Sequence, residues 1–316
     1  MKKAFEKLNL RDYGVLLGFL ALCIAISIAT PSFLGKQNIL NLLRQSSIIG
    51  IISAGMTFVI ISGNFDISVG AVAALAGAIT MKFVTGGTNL FASMFLGVAI
   101  CAVIGLINGI VVAKINVPSL IATMAMVTIV RGLLLMLTGG YPITENIPIL
   151  DYIGNGYLFN IPIPVVIFFI VVLVSFIVLN KTKFGRYVYS VGGNQEASKL
   201  NGINVDSHKV KVFIINAVLA GIAGIVLTGR LGTATAIAGE GYDMDAIASV
   251  VIGGTSVAGG SGSVLKTVIG VLLMSVINNS FNLLGIDVYF QYIFKGLIIL
   301  AAVGFDSYSK KKLASR

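Results

Sequence analysis

Apolar runs of about twenty residues recur along the chain. Short stretches rich in Gly, Pro, Asn and Lys separate them. A helix crossing a bilayer needs about 20 apolar residues. Reading the runs between turn signals predicts ten segments: approximately 13–30, 46–62, 67–84, 89–113, 119–137, 162–179, 210–228, 246–258, 263–285 and 288–304. The eighth is too short for a full crossing and rich in Gly, Ser and Thr, so it reads as a tilted or re-entrant element enclosed by protein. The second and third nearly fuse across Gly63–Asp66. The predicted fold class is all-α: a polytopic integral membrane helical bundle of about ten transmembrane helices. Residues 1–316 form a single transmembrane domain.

Composition agrees with that pattern. Of the residues, 57% are hydrophobic and 11% are charged, whereas a soluble domain carries about 25% charged residues. The chain cannot cover a globular surface with polar groups, which argues against a soluble enzyme, a nucleic-acid binder or a disordered protein. The net charge of +10 reads as a lysine and arginine bias toward the cytoplasm, and as attraction to anionic lipid, rather than as a nucleic-acid footprint. With ten spans and the N-terminus inside, sixteen of the 22 Lys and Arg fall on the cytoplasmic side. They are Lys2, Lys3, Lys7, Arg11, Lys114, Lys181, Lys183, Arg186, Lys199, Lys209, Lys211, Lys266, Lys310, Lys311, Lys312 and Arg316. Lys36, Arg44, Lys82 and Arg230 fall outside, and Arg131 and Lys295 lie within spans. Both termini are therefore expected in the cytoplasm of a multi-pass membrane protein. The first segment has features of a cleaved signal peptide, but nine further apolar segments favour a retained helix.

Several chemistries find no support. Cys23 and Cys101 sit in apolar runs and read as small hydrophobes. His208 is the one histidine, so no His-based metal cluster is expected, and no metal or other cofactor is predicted. Gly260-Ser-Gly-Ser-Val-Leu-Lys-Thr267 almost spells a phosphate-binding loop, but Leu265 replaces the second glycine and no strand precedes it. The longest strongly polar stretch, Asn180–Lys211, covers about 30 residues, whereas a soluble domain needs about 50 or more. Any ATPase activity is expected from another chain.

That stretch carries its own signals, over a cytoplasmic loop of about 180–209. Gly192-Gly193-Asn194 is turn chemistry. Asn194 is expected to cap a short helix over Gln195–Asn201, with Glu196 in its first turn and Gly202 ending it. Elsewhere 37 glycines, with runs such as Ala220-Gly-Ile-Ala-Gly224, predict closely packed helices.

Here a resemblance becomes visible. Glu196-Ala197-Ser198, followed after three residues by Gly202, looks like the coupling motif of permeases in ATP-binding-cassette importers. Gly63-Asn-Phe-Asp-Ile-Ser-Val-Gly70 is similar to a signature of monosaccharide permeases, with Asn64 standing where the family usually has Gly. Ala246-Ile-Ala-Ser-Val-Val-Ile-Gly-Gly-Thr-Ser-Val-Ala-Gly-Gly-Ser-Gly262, Asn278-Asn-Ser-Phe-Asn-Leu-Leu-Gly285 and Lys295-Gly-Leu-Ile-Ile-Leu extend the match across nearly the whole chain. The chain thus resembles the ribose-type, RbsC-like permease subunits of ATP-binding-cassette sugar importers. That resemblance implies a permease dimer with a central path, a sugar-binding protein docking outside, and ATPase subunits docking on the cytoplasmic coupling helix. It also implies coupling roles for Asn194, Glu196, Ala197 and Gly202. The departure at Asn64 leaves the sugar open.

Candidate path residues are the polar groups in or near spans. Asp66 either caps the third segment or lines the path, beside Asn64. Asn108, Asn278, Asn279 and Asn282 either bond neighbouring helices or meet a sugar hydroxyl, as does Gln291. Arg131 either snorkels or pairs with a carboxylate, and Lys295 calls for a buried polar contact whose partner is open. A weak echo pairs Asn64, Asp66 and Gly77 with Gly241, Asp243 and Gly254 at a constant offset of 177, as an inverted repeat would. The rival readings are a stand-alone secondary transporter, for which Asp66 alone is thin support, and a related permease for branched-chain amino acids. An intramembrane enzyme lacks a metal or nucleophile constellation.

Overall fold

The computed structural model describes the backbone of residues 10–314 and side-chain surroundings over 15–304. Lys2, Lys3, Lys7 and Arg316, counted above toward the cytoplasmic side, lie outside the described residues, as do the side chains of Arg11 and Lys310, Lys311 and Lys312. Thirteen α-helices are described: α1 Leu10–Ala29, α2 Lys36–Ile61, α3 Val69–Thr85, α4 Leu90–Ala113, α5 Ser119–Thr138, α6 Pro148–Asn155, α7 Ile163–Lys181, α8 Lys183–Gly193, α9 Gln195–Leu200, α10 Val205–Leu231, α11 Tyr242–Ile252, α12 Val264–Leu283 and α13 Val288–Ala314. Two-residue strand pairs join Ile143–Thr144 to Thr233–Ala234 and Tyr157–Leu158 to Ile161–Pro162.

Six helices, α2, α4, α5, α7, α10 and α12, are long and apolar enough to cross a membrane, with shorter apolar stretches at Val15–Ala29, Val69–Thr85 and Val288–Gly304. Together with α11 they match the ten segments expected. α11 has 11 residues, about 16 Å of helix, against a hydrocarbon core of about 30 Å. It cannot cross alone, as its sequence suggested.

Packing centres on α2 and α10. α2 is buried along most of its length, and α10 packs against α2, α3 and α4. In lipid no hydrophobic force drives helices together, so close backbone approach and dispersion must do it. Small residues supply that approach. A Cβ on Gly224 of α10 would lie 1.9 Å from the Ala73 carbonyl oxygen of α3, and one on Gly105 of α4 would lie 2.6 Å from the Phe213 carbonyl oxygen. These contacts set direction. Ala73 lies beside Gly224 and Gly77 beside Thr228, so α3 runs parallel to α10, while Gly105 beside Phe213 and Gly109 beside Val210 make α4 antiparallel. A separate small core of Phe33, Leu42 and Val276 holds α1 through Phe19 and Leu22.

The bundle has two distinct ends. α6 lies against the C-terminus of α10, where Gly154 meets Arg230. α8 and α9 lie at the opposite end, beside the C-terminus of α2, where Gly192 meets Ile61. Arg44 donates to the Asn155 carbonyl at the α6 end, an end shared by Lys82 and Arg230 through the neighbouring Met81, Leu150 and Leu231. Lys181, Lys183, Arg186, Lys199 and Lys209 flank α8 and α9. The charge partition read from the sequence is thus a partition between two ends in space.

The segment Lys183–Gly193 is helical, whereas the sequence suggested only turn chemistry at its end. Gly192 and Gly193 are poor helix formers, but contacts with α2 and the 259–260 turn override that preference. The short helix after it agrees with expectation: Asn194 Oδ1 accepts from Ala197 N at 2.9 Å, and Gly202 follows at φ +77°.

With Cys23 and Cys101 replaced by Ala, a cysteine at Phe159 (91% exposed, beyond α6) and one at Leu200 (89% exposed) should label from opposite faces of the membrane with an impermeant thiol reagent. Phe159 should label from outside and Leu200 from the cytoplasm. Labelling of both from one face would overturn the arrangement.

Candidate functional site: a polar seam at two helix breaks

The first break lies between α2 and α3. Backbone polar groups inside a bilayer must find partners in the protein. The N–H groups of Gly63 and Asn64 bond the Ile60 and Val59 carbonyls. Phe65 N donates to Ser119 Oγ at 3.1 Å, and Ile67 N to Thr123 Oγ1 at 3.2 Å. The opening turn of α5 therefore anchors the break. In return, the Gly260 N–H bonds the Ile61 carbonyl at 2.8 Å, occupying an acceptor that the end of α2 leaves open.

Asp66 is fully enclosed here. Its Oδ1 accepts from Ser68 N at 2.9 Å and Ser68 Oγ at 2.6 Å, and its Oδ2 accepts from Asn216 Nδ2 at 2.9 Å. Asn108 Nδ2 donates to Ser68 Oγ at 3.1 Å. Asn216 lies near the midpoint of α10, so this network sits deep in the bundle. Three donors on one carboxylate compensate its loss of water. Asp66 braces α3, α4 and α10 through this network, with its side chain buried.

The second break precedes α11. After Ala234 the chain turns back into the bundle, and Gly239 packs on Gly70 of α3. Successive turns close Thr235 to Ala238, Ile237 to Glu240 and Gly239 to Tyr242. Arg131 of α5 donates to the carbonyls of Ala236 and Ala238 and lines one cavity with Glu240 and Asp243. One turn into α11, Asp245 pairs with Lys295 of α13 (Nζ 3.0 Å from Oδ1, 3.1 Å from Oδ2) and accepts from Asn278 at 3.4 Å. Each break thus joins a long helix to a short one that starts inside the bundle.

The remaining candidates disperse. Asn64 turns back on Ser62 at 3.1 Å. Asn279 exchanges hydrogen bonds with Asn38 of α2 at 2.8 and 3.0 Å, and Asn282 accepts from Gln291 at 3.2 Å. Asn64, Asp66 and Asn108 gather at the first break and Asn278 at the second, while Asn279 and Asn282 join neighbouring helices. Asn216 and Asp245 were not singled out from the sequence. Asn216 is a lone amide in an apolar run, and Asp245 stands one position before the predicted eighth segment; those were the available signals. Among the described residues no cluster of three or more His, Cys, Asp or Glu is placed to hold a metal.

A backbone knot joins this seam to α8. Gly63, Gly192, Gly259 and Gly260 meet with no side chain between them. A Cβ on Gly192 would lie 1.7 Å from the Ile61 carbonyl oxygen, and one on Gly260 2.7 Å from Gly193 Cα. Tyr189 Oη adds a bond to the Gly262 carbonyl at 3.0 Å. The ends of α2 and α8 and the loop after α11 therefore touch at one point. Directly after α8, Asn194 caps α9, Glu196 and Ala197 stand in its first turn and Gly202 lies just beyond its end, with Glu196 3.4 Å from Lys199 and exposed.

Removing one member of the Asp245–Lys295 pair strands a buried charge. Lys295→Met should destabilise the detergent-solubilised protein by about 3 kcal/mol, and Asp245→Asn in the same chain should recover much of that. A thermal unfolding series checks this; equal stability of the single variant and the wild type would refute the pairing.

The family model described as branched-chain amino acid transport system / permease component matches residues 38–303. The ribose import permease protein RbsC of Haemophilus influenzae is 44% identical over 303 residues, covering 93% of this chain and 94% of that one. RbsC of Bacillus subtilis is 43% identical over 300 residues, covering 94% and 93%. The L-arabinose transport system permease protein AraH of Escherichia coli is 35% identical over 304 residues, covering 95% and 92%. No solved structure matches the chain. With its multi-pass helical bundle and a match along nearly all of its length, the chain belongs to this family of transport-system permeases and is an RbsC-like permease of the ATP-binding-cassette type.

Proposed function

We propose that the protein is the membrane permease subunit of an importer that carries a monosaccharide, ribose first, across the bacterial cell membrane, with both termini in the cytoplasm. ATP hydrolysis comes from a separate ATPase subunit, an extracytoplasmic sugar-binding protein delivers the substrate, and two permease copies form the transporter. The observation that carries this reading is the similarity to ribose permeases along almost the whole chain. The arabinose relative widens the class to pentoses. The family description favours branched-chain amino acids as a second reading, but the ribose and arabinose permeases matched along almost the whole chain carry sugar names. A proton- or sodium-driven secondary transporter fits less well: Asp66 and Asp245 are both engaged, one by three donors and the other by a lysine.

The ATPase docks on α9. Leu200 points outward at its tip, 89% exposed, among Glu196, Lys199 and Asn201. An exposed leucine on a polar end offers a groove of a soluble partner an apolar side chain to bury. Movement of α9 passes to α8 and then, through the glycine contacts at Gly192, to the first break and to the loop after α11. The route is backbone against backbone, so it does not depend on soft side chains.

The decisive experiment is uptake of labelled ribose into proteoliposomes holding the permease, ATPase and binding protein. ATP-dependent uptake is expected; its absence for every pentose, with uptake of leucine instead, would select the second reading. Burying a leucine contributes about 1.5–3 kcal/mol, so Leu200→Asp should weaken ATPase co-purification by tenfold or more. Gly192→Ala should leave docking intact but lower uptake, because its Cβ cannot fit against Ile61. Normal uptake with Gly192→Ala would refute the backbone route, and retained docking with Leu200→Asp would refute α9 as the docking element.

A further inference from the structure

A cavity of about 500 Å³ lies between the first turn of α3, the middle of α5, the second break and α13. Small-molecule sites occupy about 300–1,000 Å³. Its floor is almost bare backbone. Gly70 and Gly239 touch so closely that a Cβ on Gly70 would lie 2.2 Å from the Gly239 carbonyl oxygen. Gly241 and Ala71 continue that floor, and the walls carry Arg131, Glu240, Asp243 and Tyr292.

Depth decides what this cavity faces. Gly70 is one helical turn beyond Asp66, which bonds Asn216 near the midpoint of α10. Carboxylates at that depth do not face hydrocarbon; they turn toward protein or water. Glu240 is exposed, and Ile237 and Tyr292 beside it are 72% and 63% exposed. The cavity is therefore open on one side, and its carboxylates require water or protein there rather than lipid. Another cavity, of about 320 Å³, is lined by Met94, Phe95, Val98 and other apolar side chains, and offers a hydroxylated solute no polar partner.

We propose that the cavity at the second break is the contact site for a neutral, polyhydroxylated ligand, a monosaccharide, as it crosses the permease. The proposal rests on the sugar-importer reading and assigns that reading a place. The Glu240 and Asp243 carboxylates are acceptors, and sugar hydroxyls are the donors that match them. Tyr292 offers a ring face to the C–H face of a sugar. Arg131 is a positioning residue: its guanidinium holds the Ala236 and Ala238 carbonyls and so sets the curve of the wall. Few polar groups on an open, backbone-floored cavity hold a sugar briefly, which passage requires.

The test uses the full transporter in proteoliposomes with its ATPase and binding protein. Glu240→Gln, isosteric and exposed, should reach the membrane normally and reduce ribose uptake about tenfold, the loss of one charge-assisted hydrogen bond. With Cys23 and Cys101 replaced by Ala, Ile237→Cys should react with a water-soluble, membrane-impermeant thiol reagent during turnover, and ribose should slow that reaction. No reaction at Ile237→Cys would place the wall against lipid and overturn the proposal. Wild-type uptake by Glu240→Gln and Tyr292→Leu, with labelling unaffected by ribose, would overturn it while leaving the importer reading standing. If the wild type carries no monosaccharide and leucine slows the labelling, the sugar-importer reading fails and the sugar assignment falls with it.

Discussion

Backbone polar groups in a bilayer have no water to bond, and the two interrupted elements of this protein answer that constraint with partners both within the breaks and elsewhere in the chain. At Gly63–Ser68 the partners are Ser119, Thr123, the Asp66 carboxylate and Gly260. At the second break they are consecutive turns and Arg131. An unpaired group in hydrocarbon costs several kcal/mol, so each break persists only while its partners stay in place. The short helices α3 and α11 begin inside the bundle for that reason, and the polar seam of Asp66, Asn108, Asn216, Asp245, Asn278 and Lys295 lies along their starts.

The same constraint ties rigidity to motion. Glycine contacts between α10, α3 and α4 bring backbones together along continuous helices, where movement would break many small dispersion contacts at once. The contact of Gly63, Gly192 and Gly260 differs in kind. It joins three segment ends by backbone alone and lies between α8, which continues into the exposed α9, and the first break together with the loop after α11. From Gly192 to Ile61 and from Gly260 to Gly193 the contact is backbone against backbone.

The carboxylates at the two breaks have divided roles. Asp66 is saturated by three donors and Asp245 is paired with Lys295, so both hold helices together. Glu240 and Asp243 face a cavity instead. The distinction separates bracing carboxylates from those that line a cavity, while the amides of Asn279 and Asn282 bond Asn38 and Gln291.

Much was legible in the sequence. Hydrophobic run length foretold ten apolar elements and the incomplete eighth, because bilayer thickness acts on each segment separately. The basic residues foretold two unlike ends, since each responds to the membrane potential and lipid charge where it stands. Asn194 and Gly202 foretold a short helix because caps act within one turn. Tertiary structure alone decided which helices meet. That Asp245 pairs with Lys295, that Asp66 is met by Asn216, and that Gly192 lies against Ile61 depend on separations of 50 to 150 residues. A polar residue's spacing along one helix carries no record of its partner on another. The helix at Lys183–Gly193 escaped for a related reason: local propensity disfavours Gly192 and Gly193, and only packing against α2 and the 259–260 turn makes helix the better conformation there.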